Sequence, residues 1–255
     1  MEKKRYKKGK YTPKGEKLNF SKSQFMTYLS CQKKYYLKYH RGWTEPSDKE
    51  NFLKGNAIHD FWENMYSDYC SVDVENENIT IEKTLTDKQR QYYSMIQNIV
   101  RFEEKRLKTV KEKDLDVEKY FYPVEQEERI EVNGMRGLPD AIYRRADGTL
   151  EVFDLKSSFY SSWKHEYEIL FYAKLVDKSD KFDQPVTGGG LFAAGDEKVR
   201  YYEFSRYQMM ELESMMEQFR RGIDQGKFEP CGMNWCKWDQ GPPEEATRKP
   251  ERIRR

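Results

Sequence analysis

Two rhythms of apolar residues run along the chain, one of helical spacing and one that alternates. Helical spacing comes first. Ser21-x-x-Gln24 has the form of a capping box. Behind it Phe25, Tyr28, Leu29, Tyr35, Tyr36 and Tyr39 predict a helix to about His40, with Gly42 beyond its end. A second helix is predicted from about Phe52 to Tyr69, then an acidic, loop-like stretch at 71–82. Tyr92, Met95, Ile96, Ile99 and Phe102 predict a long amphipathic helix from Thr86 to about Val110. Strand character takes over from Tyr120 through Val132, and Asn133-Gly134 reads as a turn.

The stretch Gly137 to Ser158, GLPDAIYRRADGTLEVFDLKSS, alternates most clearly. Ala141-Ile142-Tyr143 is an apolar segment, and Asp147-Gly148 marks a tight turn. On the return, Leu150 to Lys156 places Asp154 and Lys156 on one face and Phe153 and Leu155 on the other. A helix from Tyr167 to Val176 and a strand pair, Val186 to Ala193 and Val199 to Phe204, come next. Ser205-x-x-Gln208 opens a helix to about Gly226, and the chain beyond Pro230 is short, Trp-rich and irregular. This order predicts an α/β (α+β) fold, a central mixed sheet flanked by helices with a helical N-terminal portion. The expected organisation is a disordered basic arm at 1–17, a single domain over 18–240 and a polar tail at 241–255. Within the domain, 18–115 is helical, 116–204 forms the core sheet, and 205–240 holds the last helix and the Cys/Trp segment.

Composition narrows the class. In 255 residues no apolar run has the length needed to span a bilayer, and the N-terminus is too charged for a secretory signal. A cytoplasmic protein without a membrane partner is expected. Net charge is only +2, but residues 1–17 hold eight Lys/Arg against two Glu, and the tail ends in Arg252, Arg254 and Arg255. Such arms contact nucleic acid or are simply solvated. Cys31, Cys70, Cys231 and Cys236 in an intracellular chain point to free thiols or metal ligands rather than disulfides.

Two carboxylates and an amine on a strand surface that packs a core are expensive to leave unpaired. A divalent ion would account for Asp140, Asp154 and Lys156 together. Hydrolysis of a phosphodiester needs an activated water and neutralised phosphoryl oxygens, which one or two Mg²⁺ ions held by carboxylates supply. A lysine two residues beyond a ligand shares its face, where it can orient the water or stabilise developing charge. The competing reading is a charged surface hairpin.

Gly137-Leu138-Pro139-Asp140, followed after thirteen residues by Asp154-Leu155-Lys156, resembles the PD-(D/E)xK nuclease core, a restriction-endonuclease-like fold. Three further segments, in order, resemble its RecB-like exonuclease branch, which includes CRISPR-associated adaptation nucleases and domains of recombination helicase–nucleases. They are Ser21-x-Ser23 to Cys31-Gln-Lys-Lys-Tyr-Tyr-Leu, Gly55-Asn-Ala-Ile-His59-x-x-x-Glu63, and Glu168-Ile-Leu-Phe-Tyr172. The resemblance implies His59, Asp140, Asp154 and the Leu155 carbonyl as ligands of Mg²⁺ or Mn²⁺, with Lys156 positioning water. Gly55 would let another element approach His59 closely. Glu63, Glu127, Glu128, Glu168 and Tyr172 are further candidates. Alternation aims only one of Glu127 and Glu128 at the site, and Glu168 stands where the family has Gln.

Lys33, Lys34, Lys38, Arg41 and Lys164 are candidate contacts to a phosphate backbone. Relatives with an iron–sulfur cluster use four cysteines. Cys31, Cys231 and Cys236 supply three with altered spacing, so the iron–sulfur site is expected to be degenerate and the cluster absent. The implied function is a metal-dependent DNA exonuclease in recombination, repair or phage genome processing, within a bacterial or phage-infected cell and alongside recombination or replication proteins. Two rivals are a non-catalytic binding module that keeps the fold and a structure- or sequence-specific endonuclease.

Overall fold

In the computed structural model, which describes residues 19–46, 48–159 and 163–248, the chain divides into two compact units. One comprises 48–130 and 138–209; the other gathers the chain to 47, the segment 131–137 and everything from 210 on. The basic arm expected at 1–17 and the last arginines lie outside the described residues.

The first unit is built on a five-stranded mixed sheet. Its strands lie in the order Lys198–Glu203, Val186–Ala193, Leu150–Lys156, Ala141–Arg144 and Glu125–Gln126. Only Leu150–Lys156 and Val186–Ala193 run parallel, joined through the helix Lys164–Asp177 as a βαβ crossover requires. Ala141–Arg144 and Leu150–Lys156 form the expected antiparallel hairpin. At its turn Gly148 takes φ +87°, and Asp147 Oδ1 accepts the Thr149 N–H at 2.9 Å. Alternation sends Phe153, Tyr143 and Phe192 to one face. There Phe102 of the helix Tyr93–Glu112 stacks on Phe192 with ring centroids 4.4 Å apart. On the other face the Gly189 backbone fits between Val152 and Ile169 of the crossover helix, leaving no room for a side chain. The expected sheet flanked by helices is therefore present.

Two predicted elements differ. The acidic stretch 71–82 is a hairpin, Cys70–Asp73 paired with Asn78–Ile81, rather than a loop. Val72, Ile79 and Ile81 pack against the core, while the Asp73 carboxylate accepts the Asn76 N–H at 3.1 Å and closes the turn. The acids that suggest a loop occupy mainly that turn. Between Tyr120 and Val132 only Glu125–Gln126 and Ile130–Val132 are strands; Val117–Tyr120 is a helical turn capped by Asp116.

In the second unit the first helix breaks where an unbroken one was expected. Lys22–Ser30 ends at Cys31, which has extended backbone and accepts the Lys34 N–H on its sulfur at 3.3 Å. The chain then restarts as Gln32–Tyr35 and widens into a π-turn over Tyr36–His40. Phe20, Phe25, Tyr28 and Tyr35 gather around Phe219 of the helix Arg206–Gln225. No helix among the described residues is long and apolar enough to cross a membrane.

Candidate active site

His59 stands on the helix Lys49–Glu63, which Asp48 caps by accepting the Asn51 N–H at 3.2 Å. Ile58, Phe61 and Trp62 bury the helix's inner face, leaving His59 at the border of the core. Two side-chain bonds fix the helix: Trp62 Nε1 donates to Glu103 at 2.8 Å, and Gln126 Nε2 donates to the Trp62 carbonyl at 3.1 Å. The second bond carries the short strand Glu125–Gln126 to the same place. The next residue, Glu127, turns out of the strand with φ +45°, a conformation uncommon for a non-glycine residue. Its carboxylate comes within 3.4 Å of His59 Nδ1.

Asp140 precedes the hairpin pair Ala141–Phe153, so it comes opposite Asp154. Its Oδ2 accepts the Leu155 N–H at 2.5 Å, extending the ladder by one side chain, and its Oδ1 lies 3.5 Å from His59 Nδ1. One ligand atom each from His59, Glu127 and Asp140 lies within 4.8 Å of the other two. Asp154 is buried beside them, and Lys156 forms an ion pair with it and a second with Glu168 at 3.3 Å. Glu168 projects from the crossover helix, onto the same side of the sheet as Asp154 and Lys156.

Among the described residues of this cluster, acids outnumber bases. Burial disfavours the charged form of Asp140 and, with Asp154 and Glu127 nearby, holds its pKa up at about 7 even beside His59. For His59, burial acts to lower the pKa, but Asp140, Glu127 and Asp154 prevail and raise it to about 9. The three acids thus recruit the nearest available proton carrier. A divalent cation neutralises such a cluster more completely than one proton does, and two carboxylates with one imidazole suit Mn²⁺ or Mg²⁺.

Several candidates lie elsewhere. Glu128 pairs with Lys181 at 3.0 Å, so it is Glu127 that reaches His59. Glu63 is exposed on its helix and outside the ligand group. The Leu155 backbone, by contrast, lies at the site, where its N–H donates to Asp140. A Cβ added to Gly55 would meet nothing within 4 Å, so no described element packs against it; the close approach expected there does not occur. Tyr172, one turn beyond Glu168, is buried against Phe171. Lys164 is half-buried at the start of the crossover helix. Lys33, Lys34, Lys38 and Arg41 belong to the second unit, where Lys34 pairs with Glu45 at 3.0 Å and Lys38 lies over the Tyr39 ring.

The sequence reading missed Glu103, which anchors the site from behind. Fully buried, it accepts from Trp62 Nε1, Tyr143 Oη at 2.7 Å and Arg106 Nη1 at 2.7 Å. Its signal lay in the helical rhythm, since Glu103 falls four residues after Ile99 and four before Leu107, within the apolar stripe.

A protein from Eubacterium rectale bearing the name "Putative exonuclease" shares this fold at TM-score 0.50 and 14% identity, over 88% of this chain and 87% of its own. A second structure, of the protein SSO0001, aligns at TM-score 0.27 and 14% identity over 72% of this chain and 89% of its own, and carries no argument. No curated protein sequence matches. The model of the PD-(D/E)XK nuclease superfamily matches residues 19–238, a span that holds the hairpin acids, the lysine and the histidine helix alike. With its acids and lysine on adjoining strands of a mixed sheet, the chain belongs to the PD-(D/E)XK nuclease superfamily.

Proposed function

We propose that this nuclease depends on a divalent cation and degrades DNA from single strands or duplex ends, as an exonuclease of the RecB-like branch. The observation that carries the reading is the set of half-buried Glu127 and buried Asp140 and Asp154 around His59, with Lys156 at its rim. His59, Glu127 and Asp140 would hold the ion, with Asp154 adjoining. Bound there, Mg²⁺ or Mn²⁺ would supply charge neutralisation at the phosphoryl oxygens and make water a better nucleophile.

The remaining work falls to the chain. Lys156 orients the attacking water and donates hydrogen bonds to the phosphoryl oxygens as negative charge builds on them. Glu168, 3.3 Å from its ammonium, keeps the flexible lysine side chain aimed at the reacting centre. The Leu155 N–H fixes the rotamer of Asp140, so that acid need not reorganise when substrate arrives. The open surface at Gly55, one helical turn before His59, leaves space for a nucleic-acid strand. Attack by water on phosphorus breaks the phosphorus–oxygen bond to the departing nucleotide.

Dependence on ends is supported by the resemblance to RecB-like exonucleases and by the name of the E. rectale protein. Recombination, repair or phage genome processing is the setting that the resemblance implies. The test is to incubate end-labelled linear DNA and closed circular DNA with Mg²⁺, with Mn²⁺ and with chelator, using Lys156→Ala as control. Mononucleotides or short products released from linear DNA alone, only with a cation and only by the unmodified protein, are expected. Nicked circles would replace the exonuclease with an endonuclease, and no cleavage under either cation would leave a binding module.

A further inference from the structure

The second unit contains four ligand-type side chains that the nuclease site does not use. Cys31, Cys231, Cys236 and Asp239 each place one ligand atom within 4.8 Å of every other. Asp239 Oδ1 lies 3.4 Å from both Cys31 Sγ and Cys231 Sγ, and its Oδ2 lies 3.6 Å from Cys231 Sγ. From these positions we infer a closed, structural Cys₃Asp site for a single zinc ion, with Asp239 as the fourth ligand.

Spacing separates this from a four-iron cluster. A tetrahedral ion with Zn–S near 2.3 Å and Zn–O near 2.1 Å sets its sulfur and oxygen ligands about 3.6 Å apart. The observed sulfur–oxygen distances of 3.4 to 3.6 Å match that edge. A cubane puts each thiolate on a different iron and so spreads its ligands farther; it also calls for four cysteines, and Cys70 lies in the other unit. The cysteines do not fit that cluster.

Local structure pre-forms the site. The Cys231 and Gly232 N–H groups donate to the Asp239 carboxylate at 2.9 and 2.7 Å, the outer support that orients a ligating acid. Cys236-Lys237-Trp238-Asp239 is a tight turn closed by Asp239 N–H to the Cys236 carbonyl at 3.2 Å, and it presents two ligands at the short spacing usual in zinc sites. Trp238 is 2% exposed and packs with Leu37, Tyr36 and Trp43 against one side of the cysteines, of which Cys31 is buried and Cys231 and Cys236 are half-buried. Bound there, Zn²⁺ would have three thiolates and one carboxylate as ligands, its binding displacing the thiol protons.

The experiment measures zinc, iron and acid-labile sulfide in the full-length protein purified without oxygen. About one zinc per chain is expected at the thiolates. Exchange with Co²⁺ should give intense near-ultraviolet thiolate-to-cobalt bands. These bands should vanish in Cys236→Ser and persist in Cys70→Ser and in Asp140→Asn, which excludes the acid site as their source. Asp239→Asn should raise the apparent zinc dissociation constant at least tenfold. Iron with sulfide in equal amounts, or a wild-type protein without thiolate–cobalt bands, would overturn the inference, even if the serine variant failed to fold.

Discussion

Two buried carboxylate centres share one unit of this protein, and they are neutralised in opposite ways. Glu103, fully buried, has Arg106 2.7 Å away and further donors in Trp62 and Tyr143. The Arg106 guanidinium lies over the Tyr143 ring, 3.3 Å from its centroid, so the cation is held against the core beside its anion. Asp140 and Asp154 are almost as buried, and the charged partners they show among the described residues are a histidine and a lysine rather than an arginine. A charge with its counter-ion built into the core holds the fold together. A cluster left short of positive charge is suited to a cation from solution.

Charge changes at the second centre should therefore show chiefly in activity. Lys156→Ala is expected to lower the cleavage rate by roughly 10²–10⁴-fold, the range for losing a group that acts in the transition state. Asp154→Asn should do at least as much. Because it removes one of several crowded buried charges, the cation-free Asp154→Asn protein should melt higher than wild type, by roughly 0.5–2 kcal/mol of added stability. Calorimetry in chelator beside a nuclease assay measures both, and a large loss of stability would erase the distinction between the two centres.

Glu103→Ala should show the reverse. Taking one partner from a buried ion pair strands Arg106 and two further donors, at a cost of roughly 3–5 kcal/mol. Denaturant unfolding should show the fall, and activity should decline only in step with the folded fraction. An activity loss at full foldedness would place Glu103 in the chemistry.

The two centres were unequally visible in the sequence. The hairpin that carries Asp140, Asp154 and Lys156 announces itself by strict alternation and an Asp-Gly turn, because a half-buried strand and its reversal are local properties. Glu127 was not separable from Glu128. The strand ends at Gln126 and Glu127 turns into left-handed backbone, so alternation does not apply at the position where it was needed. Asp239 stayed hidden because its partner Cys31 lies 208 residues away, beyond the reach of any local pattern. The break at Cys31 was likewise hidden, since the aromatic spacing runs on across it.

A finer comparison lies within the glutamate pair. Glu127→Gln removes a charge 3.4 Å from His59, whereas Glu128→Gln removes one held by Lys181 on the surface. The first should raise the cation concentration needed for half-maximal activity about tenfold or more, the change expected for one weakened ligand contact. The second should shift it less than twofold, as exposed pairs contribute under about 1 kcal/mol. Equal effects would mean that the backbone turn at Glu127 does not select the ligand.

The smallest expected effect is at Glu168. Its carboxylate holds Lys156 at 3.3 Å, but the ammonium keeps its ion pair to Asp154 when that contact is weakened. Glu168→Gln supplies an amide, whose oxygen still accepts a hydrogen bond from the lysine. Activity should change by less than about tenfold, matching the roughly 1 kcal/mol that separates a charged from a neutral hydrogen bond. Glu168→Ala should cost more, because the ion pair that Lys156 makes with the crossover helix is then lost. If the glutamine variant were as inactive as Lys156→Ala, Glu168 would belong with the cation-binding acids, and the charge shortage at this centre would be deeper by one.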